Sequence, residues 1–540
     1  MSFVREILSA AVRRGSEPML VEVRGTQLVP TSGDEFASRV ARARAALTAR
    51  GVQPGERVGL LGPNSSDWAA LDVALLAHGA VVVPLYARQD PGQLAGMLRD
   101  AGASLVVASD LQLAAALPGD FACLSFAEAL GFAADQGRSE PFAAGQDAPA
   151  TIIYTSGTSG EPKGVVLSRA NIDFMLAVTV ARIREMAKSE RAEDRVFHYL
   201  PFCFAGSRIM LWSQLWRGNP MWLSTDLNNL QEEMRGAKPH YFLNVPVLLE
   251  RIQRGVEQKL AGMGGPIHAL YKRAVAAARG PDRVNLGMRE RMWLMLAERL
   301  LFPRIRHMLG ENLEFLVCGS ARLSDEVQRW FQMIGMPVYQ VYGLTETTGI
   351  VTIDDTKNVS LGRVGYAVPG CELRLSEEGE LLCRGPNLFS GYWNKPEATA
   401  QVLRDGWLHT GDQAELDAHG SLKIIGGLKD VIVPASGHNV APAPIEDKLQ
   451  RAAAGIQQAV VLGHGRPFLT ALVTGEIDQV ALDQVCEQVN ATLPHYQRLR
   501  KVYRAPEPFT PENGLLTANQ KLRRAQIEAR YRDAIEEMYK

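Results

Sequence analysis

The chain contains no Cys-x2-Cys pair and no His-x3-His pair, so the common zinc-ligand spacings are missing. Its six cysteines, Cys123, Cys203, Cys318, Cys371, Cys383 and Cys486, lie far apart in 540 residues. That is too sparse for a disulfide framework and points to a reducing, cytoplasmic compartment. No apolar run is long enough to span a bilayer, because the best stretch, residues 68–86, is broken by Asp72 and His78. The reading is a soluble protein, at most peripheral at a membrane. No block of one charge sign occurs, and 58 Lys and Arg stand against 59 Asp and Glu. Nucleic-acid binding through a basic face is therefore not expected. The Gly-x-Ser-x-Gly elbow of serine hydrolases is absent, as is the Walker spacing Gly-x4-Gly-Lys-Ser/Thr.

What is present fits a globular protein of two or more domains, with 46% hydrophobic and 22% charged residues. The N-terminus is amphipathic, with Phe3, Val4, Ile7, Leu8 and Val12 on one side. Glu6 and the lack of a small-residue cleavage site favour a first helix over a targeting peptide. Residues 34–51, 66–78 and 90–101 have helical spacing, and apolar runs at 57–61, 80–85 and 104–108 read as buried strands between and after them. Such alternation predicts a parallel sheet covered by helices, with ligands at the carboxyl ends of its strands. Residues 265–309 read as a charged helical insertion packed on the outside. Met210, Trp212, Leu215, Trp216, Met221 and Trp222 are either ordinary core or the wall of an apolar pocket.

The organising stretch is Tyr154-Thr155-Ser156-Gly157-Thr158-Ser159-Gly160-Glu161-Pro162-Lys163-Gly164, set between two short apolar runs that read as strands. Its glycines let backbone N–H groups converge, its hydroxyls add donors, and Lys163 adds positive charge. The composition is that of a phosphate cradle. Two later strands lead into Cys318-Gly319-Ser320-Ala321 and Tyr342-Gly343-Leu344-Thr345-Glu346. The second places an aromatic able to stack on a base, a hydroxyl for a phosphate and a carboxylate for a divalent cation within five residues. Trp407-Leu-His-Thr-Gly-Asp412 then offers a carboxylate for a diol such as a ribose.

Taken in order, these segments resemble the acyl-adenylate-forming superfamily, which includes acyl-CoA synthetases, luciferases and peptide-synthetase adenylation domains. Gly362-Arg-Val-Gly365, Gly391-Tyr-Trp393 and Asn513-Gly514 ahead of Lys521 belong to the same likeness. The helical insertion, the segment from Ser436 to Glu446 and the run Phe509-Thr-Pro-Glu-Asn-Gly514 are similar to the long-chain fatty acyl-CoA synthetase branch. The resemblance implies an α/β fold: a large N-terminal domain, 1–428, of stacked, mostly parallel sheets with a β-barrel-like subdomain, and a small mobile α+β lid, 429–540, hinged at Lys429.

It also implies the chemistry. A carboxylic acid, expected to be a medium- to long-chain fatty acid, reacts with ATP and Mg²⁺ to give an acyl-adenylate, which is then passed to CoA. Thr155, Ser156, Gly157, Thr158, Ser159, Gly160 and Lys163 would hold the outer phosphates, Thr345 the α-phosphate and Glu346 the metal ion. Gly319, Ser320 and Ala321 with Tyr342 would form the adenine slot, Gly343 would belong to the same cofactor-binding set, and Asp412 would bind the ribose. Lys521 would bridge carboxylate and α-phosphate, with Ser436, Gly437 and His438 near the pantetheine channel. Two positions depart from the family pattern: Gly427 stands where an arginine is usual, with Lys423 a candidate substitute cation, and Phe204 where histidine is frequent. Carrier-protein loading, activation of a hydroxy acid and a non-catalytic binding role are the competing readings, and a homodimer is left open.

Overall fold

The computed structural model describes residues 2–133, 140–156, 162–187, 193–278, 287–357, 359–435, 437–438, 440–517 and 520–540. The expected strand–helix alternation is present: helices Gly33–Ala49, Ser66–His78 and Pro91–Ala101 alternate with strands Arg57–Leu61, Val81–Leu85 and Leu105–Ala108. These three strands pair in parallel within a seven-stranded sheet. Strand Pro149–Ser156 pairs in parallel with Val81–Leu85, and strand Pro162–Ser168 then turns back antiparallel. The N-terminal stretch forms helix Phe3–Arg14, with Phe3, Val4 and Ile7 buried.

A second sheet has nine strands. Its central strands, Met221–Ser224, Val196–His198, Tyr241–Asn244, Leu316–Cys318 and Val338–Tyr342, are all parallel. Helices Ser66–His78, Arg169–Met186 and Ala205–Arg217 contribute to the large core, which includes Trp68, Ile172 and Trp212.

Asp72, which interrupts the apolar stretch at 68–86, is fully buried and held by two donors. Arg208 pairs with one carboxylate oxygen, and Trp212 Nε1 donates to the other at 2.8 Å. Arg208 also donates to Thr151 Oγ1 at 2.6 Å, and Thr151 in turn donates to the Val82 carbonyl at 2.7 Å. A buried ion pair thus ties two helices to the strand that leads into the phosphate segment.

The subdomain expected to be barrel-like is instead an open sheet. Strands Glu372–Leu375, Glu380–Arg384, Trp407–Leu416 and Leu403–Arg404 follow one another, with Leu422–Gly427 added to the long strand. Among the described residues no pairing joins its ends, and two-residue strands such as Leu403–Arg404 are too short to carry a closed circuit. The C-terminal residues form a three-stranded sheet, Ile456–Leu462, Leu469–Gly475 and Leu499–Arg504, with helices Ala443–Ala452 and Gln479–Asn490 around a separate core.

Candidate active site

The phosphate segment hangs from a hairpin. Thr155 lies opposite Lys163, and Ser156 opposite Pro162, in antiparallel register. The two ends of the glycine- and hydroxyl-rich connection are therefore clamped side by side. Gly157, Thr158, Ser159 and Gly160 lie outside the described residues, as does Ser436. Thr155 and Lys163 line a cleft of about 2590 Å³.

The parallel strands Leu316–Cys318 and Val338–Tyr342 are in register, Cys318 beside Gln340, so their following turns emerge together at the carboxyl edge. Gly319, Ser320, Ala321, Tyr342, Gly343, Thr345 and Glu346 all line the same cleft. Ser320 holds a positive φ of 71°, a strained conformation for a non-glycine residue and one found preferentially at ligand sites. Position 343 needs a glycine because a Cβ there would lie 2.5 Å from the Gly349 carbonyl oxygen.

Asp412 reaches the cleft from the open sheet. Tyr342 donates its hydroxyl to Asp412 Oδ2 at 2.6 Å. Burial pushes the Tyr342 hydroxyl well above its ordinary pKa, and the neighbouring carboxylate adds to this. Burial likewise raises Asp412, tempered by the Tyr342 hydrogen bond and by the charge of Lys521. Lys521 therefore sits within electrostatic reach of Asp412, and it lines the cleft. Two hydrogen bonds hold it: Thr517 N–H donates to the Lys521 carbonyl at 2.8 Å, and Lys521 N–H donates to Thr517 Oγ1 at 3.1 Å. Leu516 and Leu522 bridge across the base.

Several supporting groups escape a reading of the sequence. Tyr392 donates to Glu346 Oε1 at 2.8 Å, and Lys163 Nζ lies 5.0 Å from the centre of the Tyr392 ring. One ring thus holds the carboxylate and faces the phosphate-segment cation. Gly391-Tyr-Trp393 marks the segment, but nothing local reveals a partner 46 residues away. Glu380 accepts from Gly411 N–H at 2.8 Å and lies 2.9 Å from His409 Nδ1, fixing the turn that carries Asp412.

Not every expected residue converges. His438 is exposed and packs on Tyr496 at 4.7 Å, and neither it nor Gly437 lines the cleft. Of the six large residues at 210–222, Met210 faces the cleft, while Trp212 and Leu215 belong to the core. A dense apolar sequence does not say which way each side chain points. Beside Met210, the apolar lining includes Ile183 and Met186 on helix Arg169–Met186, Ile209 on helix Ala205–Arg217, and Phe204. Lys423 pairs with Glu415 at 3.5 Å outside the cleft, whereas Lys429 lines it.

Residues 10–393 match the family model of AMP-binding enzymes, and residues 429–540 match that of the AMP-binding enzyme C-terminal domain. The long-chain-fatty-acid–CoA ligase FadD15 of Mycobacterium bovis is 33% identical, over 94% of this chain and 91% of that protein. Long chain acyl-CoA synthetase 3 of Arabidopsis thaliana is 27% identical, over 91% of this chain and 84% of that one. Among solved structures, an O-succinylbenzoate coenzyme A synthetase from Bacillus subtilis in complex with AMP superposes with a TM-score of 0.74 at 20% identity, covering 97% of this chain and 98% of that one. The strand order, the carboxyl-edge cleft and these matches agree: the chain belongs to the family of AMP-binding enzymes.

Proposed function

We propose that the chain is an acid–CoA ligase that activates a medium- to long-chain fatty acid as its acyl-adenylate. The observation that carries this reading is the convergence of Lys163, Glu346, Tyr342, Asp412 and Lys521 on one cleft whose lining also includes Ile183, Met186, Ile209 and Met210. The identity with ligases named for long-chain fatty acids supports the choice of acid.

In the first step a carboxylate oxygen bonds to the α-phosphorus of ATP as the bond to pyrophosphate breaks. Two anions must approach, so cations and oriented donors dominate the barrier. Lys163 and the hairpin around it would hold the outer phosphates, Thr345 the α-phosphate, and Asp412 the ribose hydroxyls. Gly319, Ser320, Ala321 and Tyr342 would enclose the adenine. Lys521 would hold the attacking carboxylate against the α-phosphate.

Among the described residues no cluster of three His, Cys, Asp or Glu is arranged to hold a metal ion. A single carboxylate, Glu346, fits Mg²⁺ that is held mainly by the nucleotide's own phosphates, and Tyr392 fixes that carboxylate's direction. Mg²⁺ bound there would offset charge on the departing pyrophosphate.

In the second step the CoA thiol bonds to the acyl carbon and AMP leaves. We assign residues 429–540 as a lid that rotates about Lys429 between the steps, withdrawing Lys521 and bringing Ser436, Gly437 and His438 toward the thiol channel. The position of His438 outside the present cleft lining fits the first step. Pyrophosphate release across a panel of carboxylic acids, with and without CoA, tests the reading. Release with fatty acids and formation of a CoA thioester are expected; turnover restricted to short or aromatic acids, or a thioester formed only on a carrier protein, would contradict it.

A further inference from the structure

Helix Met288–Leu300 turns its apolar residues outward. Ala297 is its buried residue, and Trp293 and Leu294 are half-buried. Met288, Met292, Met295, Leu296 and Leu300 are instead 91%, 51%, 70%, 39% and 52% exposed. Their spacing, i, i+4, i+7, i+8 and i+12, places all five on one face of the helix. An ordinary surface helix carries polar residues there. Arg289 and Arg299 fall within this face and Arg291 at its margin, all three exposed.

The surroundings are basic as well. Among the described residues from 251 to 309, ten Lys and Arg stand against three Asp and Glu, in a chain whose net charge is −1. Two copies meeting through this face would set like charges against each other. Flexible methionines between arginines suit a surface that is apolar below and anionic above, which is the boundary of a phospholipid bilayer.

We infer that this helix is the docking face for an anionic membrane, lying in the headgroup plane with its methionines in the acyl boundary and its arginines at the phosphates. Its neighbour, helix Gly265–Ala278, packs on helix Pro246–Met263, whose Val247, Glu250 and Arg251 line the cleft. Docking would hold the cleft wall two helices from the lipid. The face stands on its own residues and does not depend on which acid the enzyme activates.

Flotation of the full-length protein with vesicles tests this, using phosphatidylglycerol mixed equally with phosphatidylcholine, or phosphatidylcholine alone. Binding to the anionic vesicles that weakens with added salt is expected. The double variant Met292→Glu, Met295→Glu should lose binding by roughly tenfold or more, with its melting temperature and its pyrophosphate release on a water-soluble acid unchanged. Arg289→Glu with Arg299→Glu should remove the preference for anionic lipid. A wild-type protein that floats with neither vesicle, or a methionine double variant that floats like wild type, would overturn the inference. So would a wild-type dimer that binds no vesicles and is split by the methionine substitutions, which would assign the face to a second copy.

Discussion

Gly427 faces Asp412 directly across the strand pair, at the place where the family pattern leads one to expect an arginine. Its φ of −76° and ψ of 136° suit any side chain. An added Cβ would meet Asp430 Oδ2 at 2.8 Å, the far end of an exposed side chain whose other oxygen lies 3.5 Å from Arg524 Nε, so that carboxylate must swing aside slightly. Gly427→Arg should therefore fold, reach the nucleotide or Asp412, and lower the KM for ATP by roughly tenfold, the worth of one charge-assisted hydrogen bond. An unchanged KM would show that another cation, such as the cleft-lining Lys429, already serves there. Asp354 gives a second test at this scale. Its Oδ2 accepts from Gln340 N–H at 2.7 Å, its Oδ1 is buried without a partner, and burial raises its pKa to about 8. The unfolded carboxyl loses its proton above about pH 4 while the folded one keeps it to about 8, so this group lowers stability progressively as pH rises between those values. Asp354→Asn should raise the melting temperature, and by more at pH 8 than at pH 5; a gain independent of pH would contradict the account.

At the scale of elements, the hairpin of the phosphate segment depends on the ion pair behind it. Asp72, Arg208, Trp212 and Thr151 join helix Ser66–His78, helix Ala205–Arg217 and strand Pro149–Ser156. Asp72→Ala leaves Arg208 buried without its carboxylate, and denaturant unfolding should show a loss of about 3–5 kcal/mol. A loss within experimental error would mean that water or another group takes over the pairing. This element also shows what a sequence hides. The hairpin was legible because glycines and hydroxyls interrupt two apolar runs, and the parallel sheet because strands and helices alternate. Asp72 read only as a break in an apolar stretch, since its partner lies 136 residues onward. The link from Tyr392 to Glu346 was hidden for the same reason. Trp212 and Leu215 were candidates for a pocket wall because the density of large residues is visible in sequence and their direction is not. Closure of the sheet between residues 372 and 427 was likewise expected from resemblance and absent from the pairing.

For the whole molecule, the issue is how one cleft serves two reactions. Residues 429–540 are joined to the rest by specific contacts as well as by the chain: Arg322, just after Gly319-Ser320-Ala321, lies 3.6 Å from Asp447 on helix Ala443–Ala452. Within the C-terminal part, Arg524 grips both carboxylate oxygens of Glu446 at 2.7 and 2.8 Å, bracing the segment that presents Lys521. Lys521 lines the cleft and His438 does not, which is the arrangement the proposed adenylation step requires. The most direct measurement separates the half-reactions in a Lys521→Ala variant. Pyrophosphate release from ATP and a fatty acid should fall by roughly a hundredfold or more, the scale of losing a charge that stabilises the transition state. Conversion of a preformed acyl-adenylate and CoA to thioester should proceed near the wild-type rate. Equal loss in both halves, or no loss in the first, would contradict a cleft in which Lys521 serves the adenylation step alone.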